Sequence, residues 1–114
     1  MKVNKELLKG STVILVLSLL QRESMYGYQM IKELEKESQG VFMFKEGTLY
    51  PILHSLEAEG MIASYWEGNE GSRRRKYYLI TNKGTSALKE KQREWETFRS
   101  AVDQILTREA FIWV

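Results

Sequence analysis

The sequence predicts a mainly α-helical chain with one small β-hairpin, arranged as a winged helix-turn-helix and followed by a long C-terminal dimerisation helix. Three observations support this prediction. Apolar residues recur at helical spacing in three segments before residue 60, a pattern typical of two strands follows around a glycine-rich turn, and a last helical pattern extends over about 25 residues. We therefore expect a winged helix-turn-helix domain at 1–80 and the dimerisation helix within 81–114.

The first predicted helix covers about residues 4–22, and it is apolar on every side from Val13 to Leu20. Lysines precede this apolar run, as they do in a secretory signal. The run is shorter than the roughly 20 residues that span a bilayer, and no small-residue cleavage pattern follows it. A helix that is apolar all round is one that other elements bury. We expect a core helix of a cytoplasmic protein, with no membrane segment.

The second and third helices are predicted at about residues 26–38 and 46–59, with Gly40 and Gly60 as natural stops. The third helix has a core-facing stripe that comprises Leu49, Ile52, Leu53 and Leu56. Its opposite face is short-chained and uncharged, and it comprises Gly47, Pro51, His54 and Ala58, flanked by Thr48, Tyr50 and Ser55. Pro51 is compatible with this helix only near the first turn, where few backbone donors are needed.

The hairpin, or wing, is predicted at about residues 61–80. Residues 61–66 and 76–80 are rich in β-branched and aromatic side chains, and residues 67–72 have a strong turn composition. A basic run adjoins the turn: Arg73, Arg74, Arg75 and Lys76. Such long basic side chains are suited to phosphate contacts. The alternative is a solvated hairpin whose charges prevent edge-to-edge pairing.

The third helix is the candidate recognition helix of a DNA-binding domain. Its candidate contacts are Lys45, Thr48, Tyr50, Pro51 and His54, to which the start of the second helix adds Tyr26 and Tyr28. The alternative for the two tyrosines is that both pack in the core. The outward face lacks the arginine, asparagine and glutamine that read bases at two points, so we expect limited direct readout and more recognition of DNA shape.

The last helix begins after a cap at Thr81 or Asn82 and has a heptad-like apolar stripe. Leu88, Trp95 and Val102 are seven residues apart, as are Phe98, Ile105 and Ile112. Its partner within the chain is the first helix, and a second copy would bury the remaining stripe. We therefore expect a homodimer through the C-terminal and N-terminal helices, with an interface that comprises Leu88, Trp95, Phe98, Val102, Ile105 and Leu106.

The composition argues against several other functions. The chain has no cysteine, which excludes disulfides and thiolate metal sites. His54 is the single histidine, so no pair of residues suggests a metal centre or a catalytic base with its partner. We predict no metal, no cofactor and no enzymatic activity. The formal net charge of +2 does not by itself indicate a nucleic-acid partner, and the clustering at residues 73–76 matters more.

Three segments described above, residues 26–28, 46–53 and 73–81, resemble the PadR family of bacterial transcriptional regulators. Residues 46–53, Glu-Gly-Thr-Leu-Tyr-Pro-Ile-Leu, are similar to the recognition-helix motif of the family. Residues 73–81, Arg-Arg-Arg-Lys-Tyr-Tyr-Leu-Ile-Thr, are similar to its wing and second strand, and Tyr26-Gly27-Tyr28 matches the start of its second helix. The resemblance implies a repressor that binds an inverted repeat of double-stranded DNA as a homodimer.

The single C-terminal helix resembles a short subfamily that includes a multidrug-responsive regulator. There the last helix pairs with the first helix of the other subunit, and a tryptophan in the dimer pore sandwiches flat aromatic compounds. The resemblance places Trp95 at that position, facing Leu7, Gly10, Ile14 and Ser18 of the first helix. Lys91 and Gln92 replace smaller or more apolar residues there. We therefore also expect a planar aromatic effector that releases the repressor from DNA. The alternative to a DNA-binding regulator is a protein-interaction module whose wing binds acidic partners.

Overall fold

The structure, a computed structural model, describes residues 5–68 and 73–108. Its helices are α1 (Lys5–Lys9), α2 (Thr12–Arg22), α3 (Gly27–Glu37), α4 (Glu46–Ala58) and α5 (Asn82–Arg108). Its strands are β1 (Met25–Tyr26), β2 (Ile62–Glu67) and β3 (Arg75–Ile80). The predicted fold class is confirmed. The last four residues of the predicted turn, 69–72, and Ile112 of the predicted stripe lie outside the described residues.

The prediction of one helix over residues 4–22 is wrong, because the helix is interrupted at Gly10 and Ser11. Glycine is a poor helix residue, and two hydroxyl side chains follow it. The Ser11 Oγ donates to the Leu7 carbonyl at 3.4 Å and the Thr12 Oγ1 donates to the Leu8 carbonyl at 3.0 Å. Such side-chain bonds compete with the regular helical ladder.

The sheet contains one strand that the sequence does not predict. β1 is two residues long, so it has no alternating pattern to detect, and it lies at the junction between the first two predicted helices. It pairs antiparallel with β3, Met25 opposite Tyr78 and Tyr26 opposite Tyr77, which gives the strand order β1–β3–β2. β2 and β3 form the predicted hairpin, with Ser64 opposite Tyr78. The short strand fixes the start of α3 against the wing.

The core lies between α2, α3, α4, the inner face of the sheet and the start of α5. α2 contributes four fully or almost fully buried side chains, Val16, Leu17, Leu19 and Leu20, which explains why this helix is apolar all round. The predicted stripe of α4 is buried at Leu49, Leu53 and Leu56, and Ile52 is half-buried beside it. Each fully buried side chain of this size stabilises the fold by about 1.5–3 kcal/mol.

Leu88 also belongs to this core, with 0 % of its surface exposed. It lies in the second turn of α5, where that helix packs on α2 of the same chain. The prediction that Leu88 lies in the dimer interface therefore needs correction, because no surface of this side chain is left for a second copy.

The beginning of α5 is fastened to the turn between α4 and β2. The Thr81 Oγ1 accepts a bond from the Gly84 amide at 3.1 Å and donates to the Gly60 carbonyl at 2.6 Å, while the Lys83 Nζ donates to the Glu59 carbonyl at 2.6 Å. Thr81 is therefore the predicted cap. Beyond residue 91 every side chain of α5 that the structure describes is exposed, and the molecule measures 72 × 30 × 21 Å.

Two further features of the described residues concern function. None of their helices is both long and apolar enough to cross a membrane. Within the same part of the chain, no three histidine, aspartate or glutamate side chains lie close enough together to hold a metal ion.

Candidate nucleic-acid interface

The outward face of α4 is open to solvent. Thr48, Pro51, His54 and Ser55 are exposed, together with Gly47 and Ala58. Pro51 is the sixth residue of α4 and lies beyond the first turn, contrary to expectation. An amide at this position would bond to the Gly47 carbonyl, and the missing bond is tolerated because Gly47 is exposed to water in the first turn. The face is consequently smooth, uncharged and low in side-chain bulk.

Tyr50 differs from the other candidates on α4, because it is half-buried against the start of α3. A Cβ atom at Gly27 would lie 2.5 Å from the Tyr50 Oη and 2.7 Å from its Cζ. The ring therefore occupies the space that a side chain at residue 27 would need. Burial, and after it the carboxylate of Glu46, raises the pKa of Tyr50. The hydroxyl stays protonated at neutral pH.

Lys45 is exposed at the N-terminal end of α4 and has the extended backbone of a cap residue. Its carbonyl accepts the amides of Thr48 and Leu49, both at 3.0 Å. The amides of the first two helical residues have no partner within the helix. A lysine beside free amides at a helix N-terminus is a favourable environment for a phosphate.

The two tyrosines at the start of α3 have different surroundings. Tyr28 is 50 % exposed, with the Lys32 Nζ 5.3 Å from its ring centroid, so it does not pack in the core. Tyr26 is half-buried and meets Tyr77 edge-on, with ring centroids 5.4 Å apart. The Arg75 guanidinium lies 4.6 Å from the Tyr26 ring centroid. Tyr26 thus joins α3 to the wing.

The four basic residues of the wing are not equivalent. Arg73, Arg74 and Arg75 are exposed. The Arg74 guanidinium lies 5.5 Å from the ring centroid of Trp66, which is itself exposed. Lys76 is half-buried, and its Nζ lies 3.6 Å from the Glu57 Oε1. The wing therefore presents three arginines to solvent, while its lysine is paired with α4.

Glu57 and Trp66 are functional candidates that reasoning from the sequence missed. The Ser64 Oγ donates to the Glu57 Oε2, and this bond, followed by the charge of Lys76, lowers the pKa of the Glu57 carboxyl. Trp66 lies opposite Lys76 in the hairpin, on the same face as Arg74. A residue-by-residue register of the predicted hairpin would have placed Trp66 beside the basic run.

A groove of about 510 Å³ separates the N-terminal helices from α5. It is lined by Leu7, Gly10, Ser11, Val13, Ile14, Lys91, Glu94, Trp95 and Phe98. Four of the predicted effector residues are thus brought together, and Ser18, one turn beyond Ile14, does not line the groove. Trp95 is 44 % exposed and its ring stacks on Phe98 at 6.2 Å between centroids.

The remaining residues of the predicted dimer interface form an apolar stripe on the distal part of α5. Phe98, Val102, Ile105 and Leu106 are exposed by 58, 36, 73 and 65 %. A contiguous row of large exposed apolar side chains is unusual on the surface of a monomer and indicates an interaction site. These four residues and Trp95 together form the distal stripe of α5.

Helices α2, α3 and α4 surround the core, the outward face of α4 is exposed and uncharged, and the wing presents three exposed arginines. This combination defines a winged-helix transcriptional regulator. Residues 16–90, from α2 into α5, match the family described as "Transcriptional regulator PadR-like family". The chain belongs to this family. Its members are regulators of transcription, which bind DNA and are not enzymes.

Solved structures and a relative support this assignment. A PadR family transcriptional regulator from Eggerthella lenta is 40 % identical, with a TM-score of 0.77 over 89 % of this chain and 86 % of that one. A transcriptional regulator from Clostridium thermocellum is 32 % identical, with a TM-score of 0.82 over 88 % and 97 %. The transcriptional regulator Rv3488 of Mycobacterium tuberculosis is 38 % identical over 71 residues, which span 62 % of this chain and 63 % of Rv3488.

Proposed function

We propose that this PadR-like regulator is a cytoplasmic repressor that binds an inverted DNA repeat as a homodimer. The observation that supports this most directly is that the exposed, uncharged face of α4 and the three exposed arginines of the wing belong to elements that pack together, because α4 contacts β2. The helix face has a shape that suits a groove, and the arginines have the charge that suits the phosphates along it.

In this proposal α4 enters the major groove. Thr48 and His54 donate or accept hydrogen bonds there, and the low bulk at Gly47 and Pro51 allows the backbone to come close. Lys45 and Tyr28 contact phosphates at the edges of the groove. The ring of Tyr50 holds α4 against α3, and its protonated hydroxyl is a donor to DNA. With so few side chains suited to base contacts, specificity depends largely on DNA shape.

The distal stripe supports the homodimer. Its five side chains keep 36 to 73 % of their surface exposed, and an interface with α1, α2 and α5 of a second copy would remove that surface from water. Two-fold symmetry would then place the two recognition helices about 34 Å apart, which corresponds to half-sites roughly 10 bp apart on one face of the duplex.

The groove beside Trp95 supports release by a planar aromatic effector. The ring is partly exposed, lies next to Phe98 and faces apolar side chains at Leu7 and Ile14. A flat ligand stacked on such a ring gains about 0.5–1.5 kcal/mol beyond burial. Binding there would change how the N-terminal helices and α5 pack, and so the spacing of the recognition helices.

The DNA interface is tested by the salt dependence of binding to duplex DNA. Arg73→Ala, Arg74→Ala and Arg75→Ala should each weaken binding to all sequences similarly and lower the salt slope by about one. Arg93→Ala, which removes an exposed arginine from α5, is the control and should leave the slope unchanged. A wild-type protein that fails to bind duplex DNA even at low salt would instead favour the protein-interaction module.

The effector site is tested by fluorescence titration with flat cationic dyes. Stacking on Trp95 should quench its emission, and a Trp95→Ala protein that still dimerises should lose that quenching. Trp66→Ala is the control, because Trp66 lies on the wing and should not change the response. Equal dye affinity in wild type and Trp95→Ala would assign Trp95 to packing alone.

A further inference from the structure

A small network of three side chains joins the wing to α4. Glu57, near the C-terminal end of α4, accepts a hydrogen bond of 2.5 Å from the Ser64 Oγ of β2. The other carboxylate oxygen of Glu57 lies 3.6 Å from the Lys76 Nζ of β3. One carboxylate therefore contacts both strands of the hairpin.

The network lies at the point where the hairpin leaves the core. Ile62 of β2 and Tyr78 of β3 are buried, whereas Tyr65, Trp66 and Glu67 beyond them are exposed. Among the side chains that the structure describes, the bonds to Glu57 are thus the polar contacts with α4 that lie nearest to the basic tip of the wing. Their loss would remove the polar link between the outer half of the hairpin and α4, and the contacts of the wing with Tyr26 would remain.

We propose that Glu57 is a positioning residue for DNA binding, which holds the wing at a fixed angle to α4 so that both reach the same duplex. The proposal rests on the DNA interface proposed above. It assigns Lys76 a different role from its three neighbours, because a lysine paired with Glu57 orients the hairpin and is not a separate phosphate contact.

The charge of Glu57 supports this proposal. A carboxylate near a DNA surface repels phosphates across a distance comparable to the Debye length of about 8–10 Å. A partly exposed ion pair adds little to the stability of a fold. An acidic residue at this position is therefore unfavourable for DNA affinity unless the geometry that it imposes outweighs the repulsion.

The test uses Glu57→Gln and Glu59→Gln in the full chain, with affinity for duplex DNA measured at several salt concentrations. Both variants remove one negative charge from the same end of α4, but the Glu59 side chain bonds to no described residue of the wing. Electrostatics alone predicts tighter binding by both. Positioning predicts that Glu57→Gln binds roughly three- to tenfold more weakly, since the wing is no longer pre-organised, while Glu59→Gln binds at least as tightly as wild type.

Two further variants separate positioning from a loss of folding. Ser64→Ala removes one bond of the network with little change in volume and should weaken binding in the same direction as Glu57→Gln. In the Glu57→Gln background, Arg74→Ala should cost less affinity than in wild type, because a misaligned wing benefits less from its arginines. A merely stabilising Glu57 would leave the cost of Arg74→Ala unchanged.

The results that overturn the proposal differ from those that overturn the DNA interface. If wild type binds DNA but Glu57→Gln binds as tightly as Glu59→Gln, Glu57 does not position the wing. If Lys76→Met lowers the salt slope as much as Arg74→Ala does, Lys76 is a phosphate contact and the proposed tether is wrong. A wild type with no salt-dependent DNA binding would contradict the underlying function instead.

Discussion

At the scale of single residues, the contact between Gly27 and Tyr50 determines how closely α3 and α4 approach each other. The sequence predicts that Gly27 lies at the start of one helix and Tyr50 on the next helix, and the structure has both residues there. Their contact depends on the crossing of two helices, which helical periodicity does not contain. The sequence therefore predicts Tyr50 as a surface hydroxyl, whereas the structure shows a half-buried ring.

We expect Gly27→Ala to destabilise the protein by about 1–3 kcal/mol, because the added methyl group would overlap a rigid aromatic ring. Urea unfolding measures this directly. The double variant Gly27→Ala with Tyr50→Leu should recover part of the loss, since the smaller side chain leaves space for the methyl group.

Gly47→Ala is the matched control for this substitution. A Cβ at Gly47 would meet no atom within 4 Å, so the stability should stay the same or rise by up to about 1 kcal/mol from better helix propensity. A loss of stability at Gly47 as large as that at Gly27 would show that the ring of Tyr50 is not the cause.

The basic run shows the same limit of the sequence at this scale. Arg73 to Lys76 are four neighbouring cations, and nothing in their spacing distinguishes the last from the others. The position of Glu57 makes the difference, because its carboxylate lies 3.6 Å from the Lys76 Nζ and pairs this lysine with α4. Predicting this requires the angle between the wing and the helix, which long-range packing determines.

At the scale of elements, hydrophobic periodicity is sufficient to predict an element and its buried face where the element is long and packs on the core with one face. The burial stripe of α4 and the alternation of the wing follow from it, and α2 is identified as buried because it is apolar on all sides. The break between α1 and α2 and the two-residue β1 are local departures that a window of many residues averages away. Both lie near glycine, where the intrinsic preference of the backbone is weak.

The attachment of α5 to the α4–β2 turn gives a prediction at the same scale. A Cβ at Gly84 would overlap the Met61 carbonyl oxygen and the Ile80 side chain. Because backbone cannot move aside as a flexible side chain can, Gly84→Ala should cost about 1–3 kcal/mol or more in the free energy of unfolding.

Ser86→Ala serves as the control for Gly84→Ala, since Ser86 lies on the exposed side of the same helix. Its stability, measured by the same urea titration, should change by no more than about 0.5 kcal/mol. If both variants unfold at the wild-type midpoint, α5 is not held tightly against the turn.

At the scale of the whole molecule, the distal stripe leaves the fold incomplete as a single chain. Truncation after Gln92 removes the five side chains of the distal stripe, each worth about 1.5–3 kcal/mol when buried. We expect the truncated chain to be a monomer or insoluble, as measured by sedimentation equilibrium. A soluble dimer would place the interface elsewhere.

A point substitution tests the same interface without shortening the chain. Ile105→Lys should weaken the dimer, because a charge would have to be buried in the interface. Thr107→Lys adds the same charge on the opposite side of α5 and should leave the dimer intact. The heptad spacing predicts this stripe, but Leu88 shows that spacing alone does not distinguish the core of one chain from an interface between two.

The projecting helix also affects how the protein behaves as a hydrodynamic particle. A compact chain of this length has a radius of gyration of about 13 Å, whereas the value here is 17.2 Å. A monomer with such a projecting helix is elongated, so it diffuses more slowly than a sphere of equal mass. It therefore elutes early from a size-exclusion column, as a larger particle would. Elution volume alone would therefore overstate the number of subunits, and only methods that report mass independently of shape can count them.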